Sequence, residues 1–177
     1  MGRHALIDTE IDMDVNAAPP TDFDFAFGDW TVVHRRLAAR LQGCTDWVEF
    51  PGTMSTRPVL GGFGNVEDNL LDMPDGAYRA IAVRSFDRER GTWSIWWLDG
   101  RAPGDLDVPV VGGFESGVGT FFADAELDRR PIRIRFIWTA VDPEHPRWEQ
   151  AFSADGGREW ETNWTMDFTR VNGAGRG

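Results

Sequence analysis

Apolar and polar residues alternate with a period of two along most of this chain, the spacing of a strand that buries one face. The longest such run spans residues 147–170. Trp148, Gln150 and Phe152 alternate there with Glu149, Ala151 and Ser153, and Trp160, Thr162, Trp164, Met166 and Phe168 alternate with Glu161, Asn163, Thr165 and Asp167. Between the two arms, Asp155-Gly156-Gly157 supplies residues that accept a left-handed turn, so the segment predicts a hairpin. For all the even-numbered residues to share one face, Phe152 must oppose Trp160, which calls for an odd loop or a bulge at Gly157.

The same pattern recurs upstream. Residues 30–37 place Trp30, Val32, His34 and Arg36 on one face, and residues 131–141 set Ile132, Ile134, Phe136 and Trp138 against Arg133, Arg135, Ile137 and Thr139. Further strands are predicted over 47–55, with a bulge or an edge at Pro51, and over 65–71, 78–86, 92–98, 110–114 and 118–126. Pro74-Asp75-Gly76 marks a turn, and 101–109 reads as a polar loop. No long helical pattern interrupts the series. Nine or ten short antiparallel strands with short connections predict an all-β chain, and closure into a single barrel is the arrangement that leaves no exposed edge. The expected division is a flexible arm over 1–22, the barrel over 23–171 and a tail over 172–177. Phe23, Phe25 and Phe27 begin the barrel as a helical turn or an apolar plug.

Composition narrows the function. The chain carries nine tryptophans and twelve phenylalanines, rings that belong in cores, pockets or interfaces. Its net charge is −11, and all 18 cations are arginine. An acidic surface repels phosphate backbones and anionic lipid, so neither nucleic acid nor membrane is expected as a partner. Without lysine there is no Schiff-base chemistry. Cys44 is the single cysteine, so neither a disulfide framework nor a cysteine zinc site is expected. The start shows no export signal and no stretch is long enough to span a bilayer, which together lead to a cytoplasmic expectation. No His/Cys cluster has metal spacing, no glycine-rich loop precedes a helix and no serine sits in a nucleophile elbow; no metal or cofactor is expected.

Gly28-x-Trp30 on the first long strand resembles the Gly-x-Trp signature of lipocalins. That resemblance implies a calycin-type barrel in which Arg170, at the end of the last strand, stacks on Trp30 as a structural seam. Residues 23–171 also resemble an uncharacterised bacterial family of calycin-like barrels, through the stretches 93–99, 147–153 and 160–164. Ser153, Asp155, Gly157 and Trp160 resemble the Asp-box turn of sialidase-type propellers, with Glu159 in place of its threonine. In that motif the Asp ties loop N–H groups and the Trp pins the hairpin. One copy is not a propeller, and no sialidase activity is inferred. Nitrobindin-like haem barrels are similar in outline, but they ligate iron through a late histidine that this chain lacks.

Candidate site residues follow from shared strand faces. His34 and Arg36 would place a tunable base and a fixed cation inside the barrel, or else be a satisfied core histidine and a cation leaving at the mouth. Glu67 and Asn69 share a face and could meet a ligand, or form a solvated edge. Arg84, beside the small Ala80 and Ala82, could receive a carboxylate or pair internally with Glu67. Trp97, Trp138, Trp148 and Trp164 read as lining, with Gln150 and Thr162 as polar exceptions. Strand 92–98 is apolar on both faces, so the arm or a second subunit should cover it, and a homodimer is expected. Three functions remain open: binding of a small, partly apolar, ring-containing molecule, acidic or neutral; a cofactor-independent isomerase, cyclase or lyase with His34 as general acid/base; and a solid structural barrel.

Overall fold

The computed structural model describes residues 17–171. The expected tail and most of the expected arm lie outside them. Ten antiparallel strands follow one another around a closed barrel, each paired with its neighbours in sequence, and the last returns to the first. They are β1 (Gly28–Leu37), β2 (Trp47–Val59), β3 (Gly64–Met73), β4 (Gly76–Asp87) and β5 (Thr92–Asp99), then β6 (Val110–Glu115), β7 (Val118–Leu127), β8 (Arg130–Thr139), β9 (Arg147–Ser153) and β10 (Glu161–Arg170). The described residues add two single-turn 3-10 helices, Asp24–Ala26 and Leu60–Gly62. The chain is therefore all-β and its sheet has no edge.

The alternation that predicts the strands sorts their side chains. Trp30, Val32 and His34 of β1 point inward, as do Trp93 and Ile95 of β5 and Met166 and Phe168 of β10. Outward positions carry Arg35, Glu49, Asp68, Arg79 and Asp124, several joined in exposed ion pairs. Such pairs contribute little stability, and the burial of the rings inside dominates.

One end of the barrel is shut. The segment before β1 turns through the short helix Asp24–Ala26 and drives Phe23 into the interior, edge-on to Trp93 at 5.0 Å and Phe114 at 4.9 Å between ring centres. Phe25 packs beside it against Trp138 at 5.6 Å. Asp22 accepts a hydrogen bond from the Trp93 indole N–H at 2.9 Å. The segment is thus both a helical turn and a plug.

The same end carries the seam. Trp30 of β1 opposes Arg170 of β10, and the guanidinium lies 4.2 Å over the indole ring. Arg170 also donates to the carbonyls of Phe27 at 2.8 Å and Phe25 at 3.0 Å, while the Trp30 indole N–H donates to Ala26 O at 2.9 Å. A side chain at Gly28 would meet Arg170 Nη1 at 3.3 Å, and its φ of +102° suits glycine. That is the physical content of Gly-x-Trp here.

Two details of the strand pattern are decided by the register. Pro51 makes no bulge: it pairs in register with Val33 of β1 but has no partner on its β3 side, where pairing begins at Gly52, so of the two expectations the local edge position is the one that holds. The expected opposition of Phe152 with Trp160 does not form. Phe152 faces Glu161, and the register shifts between Thr162 and Trp164, placing the irregularity at Asn163 instead of Gly157. Asn163 is fully buried, while Thr162 pairs with Ala151 on the outer face and is no polar exception in the lining. Trp160 lies outside the barrel, against Phe122 and 4.5 Å from the Arg135 guanidinium. The turn itself is tied by side chains. Asp155 accepts from the N–H groups of Arg158 at 2.9 Å and Glu159 at 3.0 Å, and Ser153 Oγ accepts from Gly157 N at 2.8 Å.

Arg170 joins three segments at once, so its loss should be felt globally. Arg170→Ala is expected to lower unfolding stability by about 2–3 kcal/mol, combining a cation–π contact with charge-assisted bonds to backbone carbonyls. Urea unfolding monitored by tryptophan fluorescence checks this; a change within error of zero would show that the seam contributes nothing.

Candidate functional site

The other end of the barrel is open. Tyr78 of β4, Arg36 of β1 and Trp164 of β10 stand near the rim, and the inward side chains of β8 and β9 face them across a cavity of about 460 Å3. The position of each follows from strand direction. β1 runs from the plug to the mouth, so Arg36 is the last of its four inward residues, one pair of rungs above His34. Arg36 opposes Trp164 across the seam between β1 and β10. Ala80 and Ala82 are small inward residues of β4, and Trp97 stands opposite Ala82.

The cavity wall is aromatic. Trp164 is met edge-on by Trp97 at 5.8 Å and Trp148 at 5.4 Å, and Phe136 packs against Trp148 at 4.8 Å. Aliphatic residues, among them Ile95, Ile132 and Ile134, complete it. Gln150 donates through Nε2 to Asn163 Oδ1 at 2.8 Å, which fixes the amide and leaves its carbonyl oxygen as an acceptor at the wall.

Charged groups gather at the rim. The Arg36 guanidinium lies 4.8 Å over the Trp164 ring and donates to Tyr78 Oη at 3.4 Å. Arg40 comes from the β1–β2 loop and lies 5.5 Å over the Phe152 ring. Burial, and then the neighbouring Arg36, lowers its pKa to about 10. The loop after β5 crosses the mouth and brings Leu106, Asp107 and Val108 into the lining. It is held by the Asp107 N–H to Trp97 O at 3.0 Å and by a bridge between Leu98 and Leu106. Asp107 is pushed up by burial and by Asp99, with Arg40 opposing. Hydrogen bonds from Arg101 hold Asp99 low.

Arg36, Trp97, Trp148, Gln150 and Trp164 therefore line one cavity. His34 does not. It sits behind Trp164, fully buried and stacked on Phe50 at 4.8 Å, and its Nδ1 accepts from the Trp164 indole N–H at 3.3 Å. Burial, and then Arg36, lowers its pKa to about 4, so it is neutral across the physiological range. Gly52 makes room for it, since a Cβ there would stand 2.5 Å from His34 Nε2.

Glu67, Asn69, Arg84 and Trp138 lie on the plugged side and do not line the cavity. Arg84 pairs with Glu67 and donates to Asn65 Oδ1 at 2.8 Å, and Asn69 donates to Glu67 Oε1 at 2.9 Å. Phe23 and Trp138 flank the guanidinium at 4.7 and 5.3 Å. This is the internal pair, and it leaves Arg84 buried beneath the plug. Sequence reasoning missed Arg40 and Asp107, which sit in loops with no periodic signal. It also missed that Tyr78 and Phe136 reach the same cavity. Among the described residues, no group of three or more His, Cys, Asp or Glu side chains could hold a metal ion, and no helix is long and apolar enough to cross a membrane.

No family model and no curated protein matches this chain. Among solved structures it is similar to the S-type phycobiliprotein lyase CPES of Guillardia theta. The two share 12% identity and a TM-score of 0.52 over 85% of this chain and 90% of the other. At that identity the likeness is one of fold alone.

His34 makes stability depend on pH. Its value is 6.5 in an unfolded chain and about 4 here, so protons favour the unfolded state as pH falls below 6.5. Its contribution is complete above that value and is lost progressively towards pH 4. Between pH 7 and 5 the expected loss is about 2 kcal/mol. Urea midpoints across this range should fall for the wild type and stay nearly level for His34→Gln; parallel slopes would remove His34 as the cause.

Proposed function

We propose that this protein binds a small, partly apolar, ring-containing organic molecule in the open end of its barrel. The observation that carries the reading is the cavity of about 460 Å3 walled by Trp97, Trp148, Trp164 and Phe136. Its size is that of a site for a small organic ligand, and its few polar groups, at the rim and at Gln150, would orient such a ligand. Edge-to-face contacts hold the rings in place before anything binds, which limits the ordering cost of association. The opposite end is plugged by Phe23 and Phe25, so the open end is the one that supports the binding reading.

A second reading uses the same cavity for cofactor-independent chemistry, as a lyase, isomerase or cyclase. It is supported by the fold neighbour, which is itself named a lyase. Its acid–base group would be Asp107, which lines the cavity and whose pKa is raised. His34, walled off by Trp164, is not that group.

Ring compounds presented to the protein should quench its tryptophan fluorescence with one site per chain. Ile134→Trp, which fills the cavity from the β8 wall, should weaken that binding at least about tenfold while leaving the fold intact by circular dichroism. If no member of a diverse ring-compound set perturbs the fluorescence, the binding reading fails. Turnover of a bound compound that Asp107→Asn abolishes would favour the second.

We also propose that two barrels associate through the outer face of β4–β6. Val83 opposes both Val66 and Trp96 there, and Val111 is 41% exposed on the next strand. Sedimentation at micromolar concentration should show a dimer that Trp96→Arg dissociates; a wild-type monomer would contradict it.

A further inference from the structure

Arg36 and Arg40 stand where two cavities meet. Both line the aromatic chamber and also a neighbouring cavity of about 510 Å3 on the rim, bounded by Leu37, Met73, Arg101 and Leu127. A group entering the chamber from outside passes these two guanidinium groups.

Their partners are unusual for this protein. Acids outnumber bases by 29 to 18, and Arg101, at the same rim, is bonded to both oxygens of Asp99. Among the described residues, however, neither Arg36 nor Arg40 forms an ion pair. Arg40 Nη2 is buried without a hydrogen-bond partner. A buried donor left unsatisfied is costly, and a charged one more so. Arg36 is already oriented, with its face on Trp164 and an N–H on Tyr78 Oη. Two like charges held close, one of them with an unsatisfied N–H, form a site for an anion.

We propose that Arg36 and Arg40 form an anion clamp at the mouth, and that the ligand is therefore a ring-bearing organic acid with its rings on Trp97, Trp148 and Trp164. This rests on the cavity reading and adds the class of ligand. Of the other charged groups lining the chamber, Asp99 is occupied by Arg101, and Glu126 belongs to β7. Asp107 and Glu161 are the carboxylates that also act on Arg40, but neither forms an ion pair with it, and Glu161 Oε1 already accepts from the Leu41 N–H at 2.7 Å. The lowered pKa of Arg40, about 10, still leaves it cationic at neutral pH.

The test uses two probes with the same rings, anilinonaphthalene sulfonate and its neutral counterpart N-phenylnaphthylamine. Each is titrated by fluorescence and calorimetry into the full chain, Arg40→Gln, Arg40→Lys and the outer-strand control Arg57→Gln. The sulfonate is expected to bind one per chain and to weaken about ten- to a hundredfold in Arg40→Gln, with the neutral probe changing less than about twofold. Arg40→Lys, which keeps the charge but loses the fork, should lie between, and Arg57→Gln should match the wild type. Sulfonate affinity unchanged in both Arg40 variants, or an equal fall for both probes, overturns the clamp while the cavity reading stands. If neither probe binds the wild type, the cavity reading falls and the clamp with it.

Discussion

The fold depends on one guanidinium. Arg170 stands at the end of β10, covers the Trp30 ring of β1 and holds the carbonyls of Phe25 and Phe27. A closed sheet must join its first and last strands, and those strands lie far apart in sequence, so their pairing carries a large loop-closure cost. A cation that satisfies the seam and the entering segment together couples barrel closure to end closure. It uses carbonyls that a short helical turn would otherwise leave without partners.

End closure then divides the interior into two unlike halves. On the plugged side, Phe23, Phe25, Trp93, Phe114 and Trp138 pack around the Arg84–Glu67 pair. A buried ion pair offers little net stability against apolar packing, but either charge left alone would be severely destabilising. Its local partners and the flanking rings account for it, with no ligand required. On the open side the rings pack against one another edge-on and leave space between the walls. The same residue type is core at one end and lining at the other.

Electrostatics follow this division. His34 lies on the boundary, stripped of solvent, next to Arg36 and committed to the Trp164 indole, so it holds Trp164 in place instead of exchanging protons. Arg36, Arg40 and Asp107 are among the charged groups that line the cavity at its open end. Selectivity at such a site would come from the rim and from the Gln150 carbonyl oxygen, because the rest of the wall is largely apolar.

Period-two alternation determined a good deal. It marked the strands, and the absence of any helical pattern together with the edge argument led to a closed barrel, because strand side chains must alternate between faces whatever the tertiary context. It also identified the inward faces of β1, β8 and most of β10, where Val32, His34, Trp138 and Trp164 are buried as the alternation implies. What alternation cannot carry is height along the barrel axis. Arg36 follows Val32 and His34 on its inward face and Arg84 follows Ala80 and Ala82, yet one ends at the mouth and the other under the plug, because β1 and β4 run in opposite directions. Nor can it carry residues that belong to no strand. Arg40 and Asp107 reach the cavity only because two loops meet over the mouth, and Thr162 and Trp160 left the interior because of one irregularity at Asn163. A face is a local property of the backbone; a rung, a loop crossing and a register shift exist only once the sheet has closed.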